Sequence, residues 1–405
     1  MQPSPVPPGA SHQRLHLVAT GISLAIASVA VAAGLIYCSN LEERYVHELA
    51  PEFSAPKLQG VALQEEAYEQ NDLLVMYGSS ELAQDLPANA NEFFEGYPTG
   101  FRTFPVGKPG TTSLSILQKV AAVGDEVKGR KLACSISPGY FFCEVFDPTY
   151  YEGNFSELQA LELVFTSRLS RDLKRDIARR MLEYPSTVAD RWLLRSALES
   201  LASESAADRA FFTILQPAGK LQTLIGRAQD HVETALHILD QEEILDASPA
   251  RSRKVLDWNA LLRTAGKVAA SPAAQARKNG FLKKKLPEGS QDVAFLRTIA
   301  KAREWTDFEL LMRTFKELGA QPLLLSMPIE DVRLEFSGLS PRAREAYVQR
   351  LHALAQRYSF PLVAFREHEK QPDFLLDFGD HLSAEGWTYY NKALDDFYHG
   401  RVSQL

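Results

Sequence analysis

Cysteine is scarce in this chain: Cys38, Cys134 and Cys143 are the only three in 405 residues. So few exclude a disulfide-stapled scaffold. Cys38 lies in an apolar run, which leaves Cys134 and Cys143 as one pair, read either as a bridge or as two separately buried thiols. No cluster of Cys and His has the spacing of a zinc site. Neither a G-x-x-x-x-G-K-[ST] loop nor a G-x-G-x-x-G loop is there to cradle phosphates. A basic excess is missing too: 44 Lys and Arg against 51 Asp and Glu give a formal net charge of −7, which argues against a nucleic-acid partner. No internal repeat is visible. What remains is an ordinary globular composition, 45% hydrophobic and 23% charged, with no metal or organic cofactor indicated. Its length allows one large core or two smaller ones.

Charge is also missing from Leu15 to Cys38, a run of 24 residues without Asp, Glu, Lys or Arg. A helix needs roughly 20 apolar residues to cross a bilayer core, so 15–38 reads as a transmembrane anchor. Arg14 precedes the run, and Glu42, Glu43 and Arg44 follow it. That thin basic flank puts residues 1–14 in the cytoplasm and the bulk of the chain outside. Two readings compete. Ala30-Val31-Ala32 fits a signal-peptide cleavage site, although the apolar stretch is long for one. Leu35-Ile36-Tyr37-Cys38 resembles a lipoprotein box only loosely, because a bulky Tyr precedes the Cys.

Residues 39–70 contain Pro51 and Pro56 and read as a linker; residues 71–405 read as one folded domain. Five short apolar runs have strand character: Asp72–Tyr77, Phe101–Val106, Lys131–Ile136, Pro322–Ser326 and Pro361–Phe365. Helical patterns lie between them at Ser113–Val123, Asp307–Leu318 and Pro341–Tyr358, the last with Ser340 as N-cap and Pro341 in its first turn. This alternation predicts an α/β fold, a five-stranded parallel sheet with helices on both faces. Between the third and fourth strands the rhythm breaks, and about 154–290 reads as a large helical insertion. There Leu158, Leu161, Phe165, Leu169, Leu173 and Ile177 recur at helical spacing. Arg168, Arg171, Arg175 and Arg179 share another face, read as solvated or as facing lipid phosphates or an anionic polymer. Pro185, Pro217 and Gly219 punctuate the helices, and Ala276–Lys285 forms a basic loop.

Two segments carry chemistry. Leu73–Tyr77 reads as a buried strand running into Gly78-Ser79-Ser80-Glu81-Leu82. Asp377-Phe378-Gly379-Asp380-His381 precedes a short last helix. A serine at the carboxyl edge of a parallel sheet sits where open α/β folds bind ligands. Backbone N–H groups at a helix start there can point at an acyl oxygen. The hydroxyl is a poor nucleophile until a base takes its proton and donors stabilise the oxyanion. Nucleophile early with Asp and His late is the chain order of a serine acyl hydrolase or transferase on an α/β sheet. Each segment alone is a weak signal, since Gly-Ser-Ser also caps helices and a loop His is commonly just a satisfied polar residue.

Gly-Ser-Ser-Glu-Leu at 78–82 with His-Leu-Ser-x-x-Gly-Trp at 381–387 resembles the DltD family, membrane-anchored SGNH-like proteins involved in attaching D-alanine to teichoic acids. Ser137-Pro138 followed by Tyr140-Phe141-Phe142, Asn154-Phe155-Ser156-Glu157-Leu158-Gln159, and Glu304–Leu311 resemble further segments of that family, as does Phe336–Ser340 with Arg344 and Tyr347. The resemblance implies an SGNH/flavodoxin-like three-layer fold. It implies Ser80 as nucleophile, His381 as base, and an oxyanion site near Gly78, Ser79 and Gly107. The family's Asp stands three residues before the His, where this chain has Phe378. Asp377 and Asp380 flank that position. Asp377 is expected as the third member, brought to His381 by one helical turn. The family's Pro-Val-Asn after the fourth strand is Pro328-Ile329-Glu330 here.

The expected function is serine-dependent acyl transfer outside the cytoplasm, moving D-alanine onto an anionic cell-surface glycopolymer such as teichoic acid. An esterase, a thioesterase or a polysaccharide O-acetyltransferase shares the fold and triad. A non-catalytic adaptor needs the anchor and the basic surfaces but neither Ser80 nor His381. The resemblance further implies a membrane-bound O-acyltransferase as partner and an acyl carrier protein upstream.

Overall fold

The computed structural model describes residues 9–241, 253–266, 276, 279, 280, 284–371, 373–377 and 381–401. Helix α1 (Gly9–Tyr45) carries the uncharged run. From Leu15 to Tyr37 its side chains are almost all exposed to the surroundings, as suits a single-pass membrane anchor. Past Cys38 the same helix continues onto the folded domain, and Cys38, Leu41 and Tyr45 are buried there. Two short helices follow, α2 (Ala55–Gln59) and α3 (Ala62–Glu69), so residues 39–70 hold helices; Leu63 and Ala67 of α3, and Val61 just before it, reach the core.

The chain then enters the sheet. β1 (Leu73–Tyr77), α4 (Ala90–Gly96), β2 (Arg102–Val106), α5 (Ser113–Val123) and β3 (Lys131–Ile136) come first. The insertion follows with α6 (Pro148–Asn154), α7 (Glu157–Leu161), α8 (Arg171–Met181), α9 (Trp192–Ala202), α10 (Ala206–Gln241), α11 (Trp258–Ala265) and α12 (Asp292–Lys301). The closing elements are α13 (Glu304–Leu318), β4 (Gln321–Ser326), α14 (Asp331–Phe336), α15 (Pro341–Tyr358), β5 (Leu362–Val363) and α16 (Ala384–Tyr398). The five strands are all parallel in the order β2-β1-β3-β4-β5, the flavodoxin-like arrangement. The register runs from Leu73↔Arg102 to Tyr77↔Val106 and from Lys131↔Gln321 to Ile136↔Ser326.

β1 is apolar throughout because helices cover both of its faces. Leu73, Val75 and Tyr77 join one core with α5, α13 and α15. Leu74 and Met76 join the other, with Phe94 of α4 and Trp387 and Tyr390 of α16. Pro105 removes a donor from β2 at little cost, since β2 is an edge strand.

The insertion departs from its periodicity in two places. The apolar series from Leu158 to Ile177 is not one helix: α7 passes into a π turn at Glu162–Thr166 and stops. Ser170 then starts α8, its side chain accepting from Leu173 N–H. A local capping signal wins over apolar spacing there. Conversely, Pro217 ends nothing, because it lies inside the 36-residue α10. The buried face of that helix, from Phe212 through Leu215 to Thr223, spans the proline and offsets its missing donor. Gly219 is a contact rather than a stop: a Cβ there would lie 2.3 Å from the Phe165 ring.

Three arginines of the series pair with carboxylates of the chain itself. Arg168 meets Asp125 at 2.9 Å, Arg175 meets Asp172 at 2.8 Å, and Arg179 meets Glu204 at 3.1 Å. Within the basic loop, Arg277, Lys278, Phe281, Leu282 and Lys283 lie outside the described residues, while Lys285 pairs with Glu335 at 3.0 Å. Cys38, Cys134 and Cys143 are free thiols; Cys134 is buried and Cys143 half-buried.

Candidate active site

β1 delivers the chain to Gly78 and Ser79, and a single 3-10 turn, Ser80–Ala83, follows. Gly78 is required there, since a Cβ would lie 2.4 Å from the Glu81 carboxylate. That carboxylate is fully buried and accepts the Ser79 N–H at 3.0 Å, which folds the turn back on the strand end. Asn89, the residue before α4, holds the turn from the other side. Its amide donates to the carbonyls of Glu81, Leu82 and Gln84 at 3.3, 3.0 and 3.1 Å. Ser80 thus stands at the carboxyl end of β1, beside the point where strand order reverses between β1 and β3, the ligand site of open α/β sheets.

His381 and Asp377 come from a narrow antiparallel loop. Leu375 bridges Leu382, Leu376 N–H donates to His381 O at 2.8 Å, and Ser383 N–H donates to Phe374 O at 3.0 Å. Flanking residues paired in this way bring Asp377 against His381; the expected helical turn falls on Phe378, Gly379 and Asp380, outside the described residues. The His-Leu-Ser-x-x-Gly-Trp segment has a local explanation. Ser383 caps α16 by accepting from Gly386 N–H at 3.1 Å. Gly386 lets the loop come close, since a Cβ there would lie 2.4 Å from Phe374 O. Trp387 Nε1 donates to Gln84 Oε1 at 3.0 Å, fastening the histidine loop to the serine turn.

The three side chains form a line. His381 Nε2 is 3.0 Å from Ser80 Oγ, and His381 Nδ1 is 2.9 Å from Asp377 Oδ2. A carboxylate can only accept, so Nδ1 carries the proton and Nε2 presents its lone pair to the Ser80 hydroxyl. Asp377 is 15% and His381 34% exposed, so the pair is partly shielded while the histidine remains reachable.

Gly107 follows β2. A Cβ there would lie 2.0 Å from Gly78 O, so the backbones of the two strand ends touch beside Ser80 and exclude a side chain. On the β3 side, Ser79 Oγ is 2.7 Å from the Tyr140 hydroxyl. Tyr140 packs edge-on against Phe146 at 4.8 Å and Tyr150 at 6.4 Å, making an aromatic wall next to the serine turn. A small cavity behind Ser79 is lined by Ser137, Tyr140 and Glu304. Glu304 accepts from Ser113 N–H at 2.9 Å at the start of α5, and burial pushes its carboxyl up to about 8.

Of the residues singled out in the sequence, His381 contacts both Ser80 and Asp377, and Gly78, Ser79 and Gly107 lie beside Ser80. Arg344 and Tyr347 instead brace the end of β4: Tyr347 OH is 3.1 Å from Ser326 Oγ, and Arg344 meets Asp331 at 2.6 Å. Glu330 is buried. Sequence reasoning missed Asn89, Gln84, and the roles of Tyr140 and Glu304 behind the turn. Only Asn89 had a local signal, as an Asn ahead of a helical run. Among the described residues no group of three or more His, Cys, Asp or Glu is arranged to hold a metal.

A protein-family model described as DltD protein matches residues 50–399. Protein DltD of Bacillus subtilis (strain 168) is 26% identical over 369 residues, covering 88% of this chain and 90% of that protein. Protein DltD of Staphylococcus aureus (strain NCTC 8325 / PS 47) is 22% identical over 365 residues, covering 87% and 88%. Protein DltD of Lacticaseibacillus rhamnosus is 22% identical over 361 residues, covering 87% and 83%.

Proposed function

The chain belongs to the DltD family, and from that premise we propose that it is a serine acyltransferase of teichoic acid D-alanylation working on the outer side of the membrane. Family membership supports the pathway. The observation that carries the chemistry is the unbroken hydrogen-bonded line Ser80–His381–Asp377 at the carboxyl edge of the sheet.

In this reading Ser80 Oγ attacks the carbonyl carbon of a D-alanyl ester or thioester while His381 Nε2 takes its proton. The N–H groups of Ser80 and Gly107 hold the oxyanion. The bond to the leaving oxygen or sulfur breaks, and His381 returns the proton to it. A polymer hydroxyl then attacks the D-alanyl-Ser80 ester, giving its proton to His381, and Ser80 leaves with that proton. Asp377, rather than Asp380, holds the tautomer and balances the imidazolium. Water in place of the polymer hydroxyl makes the same site an esterase.

The N-terminus lies in the cytoplasm and the sheet outside, so an acyl group activated on a cytoplasmic carrier protein reaches Ser80 through a membrane-bound O-acyltransferase. The test is complementation of a deletion strain, scored by D-alanyl ester on the polymer. Ser80→Ala should fold normally and restore none. Full restoration by Ser80→Ala would transfer the role to an adaptor that holds the acyltransferase and the polymer together.

A further inference from the structure

α10 presents two apolar faces. One is buried against the domain through Phe212, Leu215 and Ile238. The other looks outward: Phe211, Ile214, Leu221, Ile225, Val232 and Leu236 recur at steps of three, four and seven and are all exposed, Ile214 at 71% and Leu236 at 62%. From residue 211 to 236 the helix rises about 38 Å. A continuous exposed apolar stripe of that length marks a binding surface.

The fold places one end of this stripe at a known height. Glu42 of α1 meets His231 Nδ1 at 2.8 Å, and Glu52 meets His237 Nε2 at 2.9 Å. Glu42 stands four residues past Cys38, where the uncharged run ends, which is about 6 Å along the helix. The polar layer of a leaflet is itself about 5–7 Å thick. His231 is therefore held at headgroup level, with Val232 next to it and Leu236 one turn on.

We propose that the end of α10 around Val232 and Leu236 is seated in the headgroup layer of the bilayer that α1 crosses. The occupant is lipid because this end of the stripe is pinned beside the point where the membrane anchor α1 emerges. An interfacial helix of this kind buries its apolar face at the boundary of headgroups and acyl chains. With one attachment the domain swivels about α1; with two, the sheet is held at a fixed tilt. Where the proposed activity holds, this sets the height at which Ser80 meets a membrane-tethered polymer.

Environment-sensitive labels test it on the full-length protein. In a Cys38→Ser, Cys143→Ser background that keeps the buried Cys134, NBD is attached at Val232→Cys or Leu236→Cys. Each sample is reconstituted at one copy per nanodisc, with or without shallow nitroxide phospholipid. Ile36→Cys, at the shallow end of the uncharged run, reports the span, and Arg357→Cys, exposed on α15, reports solvent. Nitroxide lipid should lower emission roughly twofold or more at 232, 236 and 36, and leave 357 unchanged. Quenching at 36 without quenching at 232 and 236 overturns the proposal and spares the anchor. An unquenched label at 36 overturns both. Shielding of 232 and 236 that appears only with two copies per nanodisc assigns the face to a second copy and overturns the lipid reading.

Discussion

Asp377→Asn alters one side-chain atom and almost no volume, so its effect isolates the carboxylate. Asp377 Oδ2 accepts the Nδ1 proton of His381 at 2.9 Å. An asparagine can turn its NH₂ toward the ring, and Nδ1 must then accept. The imidazole proton moves to Nε2, which lies 3.0 Å from Ser80 Oγ, so the serine faces a donor and loses its base. Loss of the orienting carboxylate in a Ser-His-Asp triad costs about 10⁴ in kcat. That corresponds to about 5.4 kcal/mol of transition-state stabilisation at 1.36 kcal/mol per decade. Stability should change by roughly 1 kcal/mol or less, because the site is only partly buried and the new side chain fits. The assay is steady-state hydrolysis of a small activated ester, with KM and kcat measured separately and Tm as the control for folding. The fall should lie in kcat, with KM nearly unchanged. A folded Asp377→Asn protein within about tenfold of wild type would refute the reasoning. If Asp380→Asn were crippled instead, the orienting role would pass to Asp380.

Burial raises the Glu304 carboxyl from 4.5 to about 8, so the folded chain keeps a proton that the unfolded chain releases. Its stabilising contribution is present below 4.5 and is lost as pH rises toward about 8. Glu304→Gln should flatten the decline of Tm over that interval in scanning calorimetry, and an unchanged slope would exclude Glu304 as its source. Gly107→Ala forces a Cβ against Gly78 O and should cost about 1–3 kcal/mol; it should also slow acylation of Ser80, measured as the labelling rate with a serine-reactive phosphonate. Wild-type Tm and labelling rate together would show that the strand-end contact constrains nothing. Protease added to intact spheroplasts should digest a C-terminal tag, and a protected tag would reverse the assigned topology.

The strands were legible because apolar runs closed by Gly, Ser or Pro have few other uses in a chain covered on both faces. Their limits shifted by a residue or two, most at the sheet edge, where Pro361–Phe365 reduces to Leu362–Val363. Ser113–Val123 was legible to the residue because Gly124 takes φ 66° and stops the helix. The pairing of the arginines was not legible, since Asp125 and Glu204 are distant in sequence from Arg168 and Arg179. Chain order suggests an early serine with a late Asp and His, the family resemblance picks Ser80 and His381, and Asp377 rests on an expected turn; the contacts among them depend on Leu375 meeting Leu382, a match that periodicity does not report. The outward face of α10 has the same cause. Apolar residues on both faces of a helix read as a buried helix, and only the packing shows which face is left uncovered.

The central claim is that Ser80 forms a covalent acyl intermediate, and the most direct measurement is mass spectrometry of the full-length protein. The detergent-solubilised protein would be treated with a fluorophosphonate and, separately, with a D-alanyl thioester, then mapped by peptide. A single adduct on Ser80 is expected in each case, absent from Ser80→Ala and strongly slowed in Asp377→Asn. An unmodified Ser80 in a folded protein whose Ser80→Ala variant still supports full polymer D-alanylation would contradict it.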